Sequence, residues 1–260
     1  MVKTLSAETI EELKKVSCTT CWGVLSTILN TAFRDSLRMF NMKPVDISYK
    51  MCGPVVTVRY LPFDPLNPTT EGKDLLDNFS SMIAKMTEAI TPGSVLVLAA
   101  LGRSDAGVVG DGMALGYKTH GASCLVIDGG ARDLPIIRNQ VKLPVFMTGC
   151  STPAASGWHM YEGKTAGVLP KEINVPVVCD GVLVNPGDIM IGDEAGVMVV
   201  PIEYAEKVAE IGGALEDIEN LERKLIIEGK LFHGQKLTDA TLKEYGLLEK
   251  WRILQSYRKY

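Results

Sequence analysis

The chain contains no uninterrupted apolar stretch of the roughly 18 residues that crossing a membrane requires. Its opening segment, Met1 to Val16, is amphipathic and charged, so it reads as neither a signal peptide nor a membrane span. No run or stripe of lysine and arginine stands out and the net charge is −4, which sets nucleic acid aside as a partner. Histidine is scarce, at three residues. His120 closes a helical pattern, where an imidazole suits the macrodipole, and His233 lies in a polar tail. His159, in a long loop, could act as an acid or base. A second closely spaced cysteine pair is missing, so Cys18-Thr-Thr-Cys21 cannot complete a four-ligand zinc site. The pair also sits inside a helical pattern rather than after a strand, unlike a thioredoxin-type motif. Six cysteines in 260 residues do not make a disulfide framework; reduced thiols in a cytoplasmic protein are expected. Internal repeats, low-complexity runs and linkers are absent as well. One domain over residues 1–260 is expected, with its core at about 51–201 and a helical extension from about 202 to 260.

What is present points to a packed α/β protein. The chain is 46% hydrophobic, enough for a sizeable core. Ser6 with Glu8, Glu11 and Glu12 forms an acidic helix start, and the helical pattern continues through Trp22 to Leu29. Gly53 to Tyr60 reads as a strand and Leu75 to Ile90 as a helix. Two strand–loop–helix units follow. Ser94 to Ala100 is a fully apolar strand, then comes the loop Leu101 to Gly110 and a helix from about Gly112 to His120. Cys124 to Asp128 is the next strand, followed by Gly129-Gly-Ala-Arg-Asp133 and a helix starting near Leu134-Pro135. Leu143 to Phe146 is a third strand. Such alternation predicts parallel strands with right-handed crossovers. A Gly/Ser/Pro-rich stretch spans Gly149 to Pro170. Short β segments are expected at 175–178, 182–184, 188–191 and 197–200, and a long helix from Pro201 to about Ile227.

In open α/β structures ligands bind beyond the carboxyl ends of the parallel strands. An acidic protein that takes an anion there needs local positive charge, and two loops qualify. In Val109-Gly-Asp-Gly-Met113, glycines allow close backbone approach and a helix N-terminus offers unpaired N–H groups to a carboxylate. In Ile127 to Asp133, Arg132 can clamp a carboxylate or enolate oxygen with its planar, permanently charged guanidinium. Asp133 can supply a hard oxygen to Mg²⁺ or Mn²⁺. The plain alternative is a surface pair in which Asp133 caps the next helix, with Pro135 in its first turn. A Schiff-base lysine is not indicated, because Lys118 has no second cation beside it.

Gly110-Asp-Gly-Met113, the strand Leu125-Val-Ile-Asp-Gly and Arg132-Asp133 resemble the signature of the 4-hydroxy-4-methyl-2-oxoglutarate/4-carboxy-4-hydroxy-2-oxoadipate aldolase group of the regulator-of-ribonuclease-activity-A-like superfamily. Gly53-Pro-Val-Val-Thr-Val-Arg, Leu143-Pro-Val-Phe, Asn174-Val-Pro-Val and Asn185-Pro-Gly-Asp-x-Met-Ile-Gly-Asp match in family order, so the likeness runs from about Met51 to Pro201. The resemblance implies a layered swivelling β/β/α-type sandwich with a parallel βαβ core and a long C-terminal helix. It implies that the backbone of Gly110, Asp111, Gly112 and Met113 binds substrate carboxylate and that Arg132 binds the 2-oxo or enolate oxygen. Asp133 would hold Mg²⁺ or Mn²⁺, and Asp111 would hydrogen-bond the metal's waters. Glu219, from a neighbouring copy in a homotrimer or homohexamer, would complete the catalytic set; the alternative pairs it with Arg223 on its own helix.

The expected activity is retro-aldol cleavage of a 4-hydroxy-2-oxo acid to pyruvate, with decarboxylation of oxaloacetate. The rival readings are a non-enzymatic regulator of the ribonuclease-regulator type and a metal-enolate enzyme for another 2-oxo acid. The sequence departs from the family pattern in three places: Cys18-Thr-Thr-Cys-Trp22, Met147-Thr-Gly149, and a longer segment from Ala154 to Pro170. That segment carries Trp158, His159, Tyr161, Glu162 and Lys164. Val208, Ile211, Leu215, Ile218 and Leu225 form an apolar stripe on the C-terminal helix, opposite Glu216, Glu219 and Glu222.

Overall fold

The computed structural model describes residues 5–29, 34–62, 72–150 and 167–257. Ser6 accepts a hydrogen bond from the Thr9 N–H and opens α1 (Ala7–Lys15). Ser17 does the same for Thr20 and opens α2 (Cys18–Ile28). The sequence pattern runs on through this point, but the extended Val16 and the Ser17 cap divide it into two helices. The short strands β1 (Arg38–Met39) and β2 (Lys43–Pro44) lead to β3 (Met51–Pro62). Then come α3 (Gly72–Ala89), β4 (Val95–Val109), α4 (Asp111–Thr119) and β5 (Cys124–Ala131). A brief turn, α5 (Leu134–Ile136), continues as a π-turn to Val141 before β6 (Val145–Cys150). Four of the remaining strands are β7 (Val168–Ile173), β8 (Val177–Cys179), β9 (Val182–Val184) and β10 (Ile189–Asp193). β11 (Gly196–Val200) precedes the helices α6 (Ala205–Ile227), α7 (Asp239–Glu244) and α8 (Leu248–Tyr257).

The main sheet has the order β1-β11-β10-β3-β4-β5-β6-β2, with β7 also on β3. The inner run β3-β4-β5-β6 is parallel, as the strand–helix alternation predicts. β4 and β5 bury both faces, and their side chains divide by period two. Leu96, Leu98, Leu125 and Ile127 pack on one side with Met86 and Tyr117. Val95, Val97, Cys124 and Val126 pack on the other with Val177, Val182 and Val184 of the β8–β9 hairpin. A mixed α/β fold built around a parallel core results. Two further details differ from the sequence reading. β4 does not stop at Ala100 but continues, with register shifts at Arg103 and Gly107, to Val109. β7 lies partly inside the stretch read as Gly/Ser/Pro-rich, pairing with the second half of β3.

The helices at the two ends of the chain form a third layer. Leu13, Val16, Cys21 and Leu25 meet Val208, Ile211, Ile218 and Leu225 of α6 in one cluster over β10 and β11. Gly212 and Gly213 permit this contact, since a Cβ there would stand 2.9 Å from Val16 and 2.3 Å from Glu12. The apolar stripe of α6 is therefore covered within its own chain. Among the described residues no helix is long and apolar enough to cross a membrane. The segment 151–166, with Trp158, His159, Tyr161, Glu162 and Lys164, lies outside the described residues.

Candidate active site

β4 and β5 finish side by side, with Val109 opposite Ala131, and the Arg132 N–H donates to the Val109 carbonyl at 3.0 Å. This pairing brings together the two loops that the sequence singles out. Gly110 is the N-cap of α4 and offers no side chain to the first-turn N–H groups. Those donors have no partner within the helix, which makes this helix start a ready anion site. A Cβ at Gly110 would stand 2.9 Å from Asp133 Oδ2 and 3.3 Å from Arg132 Nε. Both charged side chains thus lie over the glycine backbone. A Cβ at Gly112 would meet nothing within 4 Å, so open space adjoins the second glycine. Asp111 and Met113 are half-buried, and Met113 packs against the core beneath α4.

For Asp133 the structure shows the surface pair with Arg132 but not the helix cap of the plain reading. It occupies the N-cap position of α5, yet its side chain makes no capping hydrogen bond. Its φ of 57° is left-handed, a conformation that L-residues adopt at an energetic cost. Its Oδ2 lies 3.5 Å from Arg132 Nε, too far for a strong hydrogen bond. Beyond that ion pair the carboxylate keeps lone pairs for a further partner, and helix capping does not account for it. Arg132 and Asp133 are 40% and 34% exposed, so the cluster opens to solvent. Among the described residues no group of three or more His, Cys, Asp and Glu side chains could hold a metal. One hard carboxylate fits Mg²⁺ or Mn²⁺, which keep several waters, and does not fit a zinc cage.

Other residues fall elsewhere. Glu219 pairs with Arg223 at 3.3 Å on α6 and, among the described residues, makes no contact with Arg132 or Asp133. Glu216, read as lying on the free side of that helix, is buried. It accepts from Thr20 Oγ1 at 2.7 Å and from the Ser17 N–H at 3.1 Å, fixing the start of α2. Burial works against its charged form, but these hydrogen bonds and Arg223 outweigh it and hold its pKa below the ordinary value. Cys18 and Cys21 are structural: both are buried, burial pushes both thiols well up, and Cys18 Sγ donates to the Ile191 and Gly196 carbonyls. Lys118 donates to the Val141 and Lys142 carbonyls and is committed to that contact.

Sequence reasoning passes over Arg103, which pairs with Asp105 through two 2.7 Å hydrogen bonds where β4 bulges beside Gly129. An Arg-x-Asp inside the Leu101–Gly110 loop was the available signal.

The RraA-like family model, described as Aldolase/RraA, matches residues 23–199. The chain belongs to the RraA-like family. A Halalkalibacterium halodurans protein named "Putative 4-hydroxy-4-methyl-2-oxoglutarate aldolase" is 32% identical over 169 residues, 65% of this chain and 68% of that protein. Protein DlpA of Legionella pneumophila is 28% identical over 191 residues, which are 74% of this chain but 28% of DlpA. Among solved structures, Streptomyces coelicolor RraAS2 superposes with a TM-score of 0.68 at 26% identity, covering 85% of this chain and 98% of its own. It is described as an unusual member of the RNase ES inhibitor RraA protein family. The RraA-like match includes Gly110, Asp111, Gly112, Met113, Arg132 and Asp133 and ends before α6. Glu219 therefore stands outside it.

Proposed function

We propose that this RraA-like chain is a divalent-metal-dependent lyase that cleaves a 4-hydroxy-2-oxo acid to pyruvate by retro-aldol reaction and also decarboxylates oxaloacetate. The observation that carries this reading is the Asp133 carboxylate, which caps no helix and is held in a left-handed backbone beside Arg132 and over Gly110. Asp133 would hold Mg²⁺ or Mn²⁺ through one carboxylate, with water and substrate completing the shell. The cation, when bound, supplies Lewis-acid polarisation of the 2-oxo group.

The protein's own groups perform the rest. The N–H groups of Gly110 to Met113 take the substrate carboxylate. Arg132 holds the 2-oxo oxygen and, being permanently charged, stabilises the negative charge that grows on it as the carbon–carbon bond breaks. Asp111 orients the water that removes the 4-hydroxyl proton, and Glu219 of a neighbouring copy assists it in a trimer or hexamer. Loss of CO₂ from oxaloacetate leaves the same enolate and needs no such base. A purely regulatory role, of the kind named for the Streptomyces relative, gives no use to a solvent-facing carboxylate at residue 133 that caps no helix.

The deciding experiment measures pyruvate release from a panel of 4-hydroxy-2-oxo acids and oxaloacetate, with Mg²⁺, with Mn²⁺ and with EDTA. Turnover that disappears in EDTA and returns with either cation is expected. Undiminished turnover in EDTA, or none from any substrate with metal present, overturns the proposal.

A further inference from the structure

The amino ends of the parallel strands carry a second concavity, remote from Arg132. β3 begins at Met51, β4 at Val95 and β5 at Cys124. The eight residues of β5 alone put this end roughly 23 Å from the Arg132 loop. Two hollows lie here against α1. The larger, of about 640 Å³, is walled chiefly by apolar groups, among them Leu5, Ile10, Pro54, Pro92, Ile189 and Ile202. The smaller, of about 330 Å³, presents Lys14, Lys15 and Lys50. Lys14, Cys52 and Ser123 line both, so an apolar hollow and a cationic one adjoin.

The charge of the cationic hollow is open to a ligand. Among the described residues Lys50 has no ion-pair partner. Lys14 pairs with Glu11 on the exposed side of α1 at 2.7 Å, a contact that exchanges readily with a new anion, whereas Lys15 is held toward α6 by Glu12 at 2.6 Å and Asp217 at 3.6 Å. Asp193, the carboxylate in that wall, is already satisfied by the N–H groups of Cys18 and Ala195, at 2.8 and 2.9 Å. Two available ammonium groups, Lys14 and Lys50, therefore stand beside an apolar chamber of a size that takes small molecules, about 300–1,000 Å³. A 2-oxo acid with two carboxylates has no apolar part to fill it.

We propose that this space binds an amphipathic monocarboxylate of the medium-chain fatty-acid type. Its carboxylate lies between Lys14 and Lys50, and its alkyl chain lies between α1 and the starts of β3 and β10.

Isothermal titration of the full chain with butyrate, hexanoate, octanoate and decanoate tests this, with decanol as the uncharged control. Affinity should rise by about tenfold for each two carbons added, as buried methylenes accumulate. Decanol should bind more weakly than decanoate. Lys50→Glu, a surface change, should weaken decanoate by roughly tenfold. Ile10→Trp should fill the apolar chamber and abolish the chain-length dependence, while Arg132→Ala should leave decanoate binding unchanged. Absence of decanoate heat, heat independent of chain length, or heat that follows Arg132 rather than Lys50 overturns the proposal. So does a Lys50→Glu protein whose oligomeric mass changes while decanoate still binds, since that result assigns the face to a second copy of the chain.

Discussion

The Gly110 backbone lies directly beneath the Asp133 carboxylate, with room for a hydrogen but not for a methyl group. A Cβ would stand 2.9 Å from Oδ2, while φ at Gly110 is −118°, an angle alanine accepts. Gly110→Ala should therefore spare the backbone and displace the carboxylate. Misplacing a group that positions the reacting centre costs about a hundredfold in kcat/KM. Paired melting curves and initial rates check this: an unchanged Tm with that loss is expected, and full activity would free Asp133 from any need to hold its position.

Asp133 separates stability from activity. Asp133→Asn keeps a residue that tolerates the left-handed region and loses only the charge, so the fold should persist while turnover falls by orders of magnitude. Asp133→Gly relieves the backbone and should raise unfolding free energy by roughly 0.5–1 kcal/mol in a urea titration, again without activity. A less stable glycine variant would mean that the 57° φ carries no cost here.

Arg132→Lys keeps the charge and loses the planar fork. The enolate charge develops only in the transition state, so the loss should fall on kcat rather than KM. Steady-state kinetics on oxaloacetate distinguish the two, and a pure KM effect would reduce Arg132 to a ground-state anchor.

Much of this site was legible because its parts are local. Apolar runs at Ser94–Ala100 and Cys124–Asp128 announce buried parallel strands, and each ends in glycines followed by charge. What escaped depends on distant partners. The stripe of Val208, Ile211, Ile218 and Leu225 says that a face is buried but not by what, and it is α1 and α2 of the same chain that cover it. Glu216 looks like Glu219 and Glu222 in sequence, yet it is enclosed by Ser17 and Thr20. β7 escaped because Pro170 interrupts its pattern, and the α1–α2 break because Ser17 also suits a continuing helix.

Glu216 gives the chain a predictable acid response. Its folded pKa is lowered, so its contribution is fully present above the ordinary glutamate value of 4.5 and is lost as pH falls through the folded value. Denaturation at pH 7 and pH 4 should show wild-type stability falling more than that of Glu216→Gln. Glu216→Ala should cost about 1–3 kcal/mol at pH 7, since Ser17 and Thr20 lose a buried acceptor. Equal pH responses in wild type and Glu216→Gln would assign the acid sensitivity elsewhere.

Glu219 can be tested by complementation. Asp133→Asn and Glu219→Ala proteins should each be inactive, and mixed oligomers should regain part of the activity where an intact Asp133 faces an intact Glu219. Mixed oligomers that form but recover nothing would confine Glu219 to its own helix, where Arg223 already engages it.

The joining of α1 to α6 and α8 also orders assembly in time. Lys250 bonds Asp217 and lies 3.6 Å from Glu12, while the Ser17 N–H reaches Glu216 across 199 positions. During synthesis α1 and α2 must keep Leu13, Val16, Cys21 and Leu25 without their final cover until α6 emerges. Closing so long a loop is entropically late. The strands β3 to β6 can pair before then, and the two ends of the chain dock last, on a sheet that already exists.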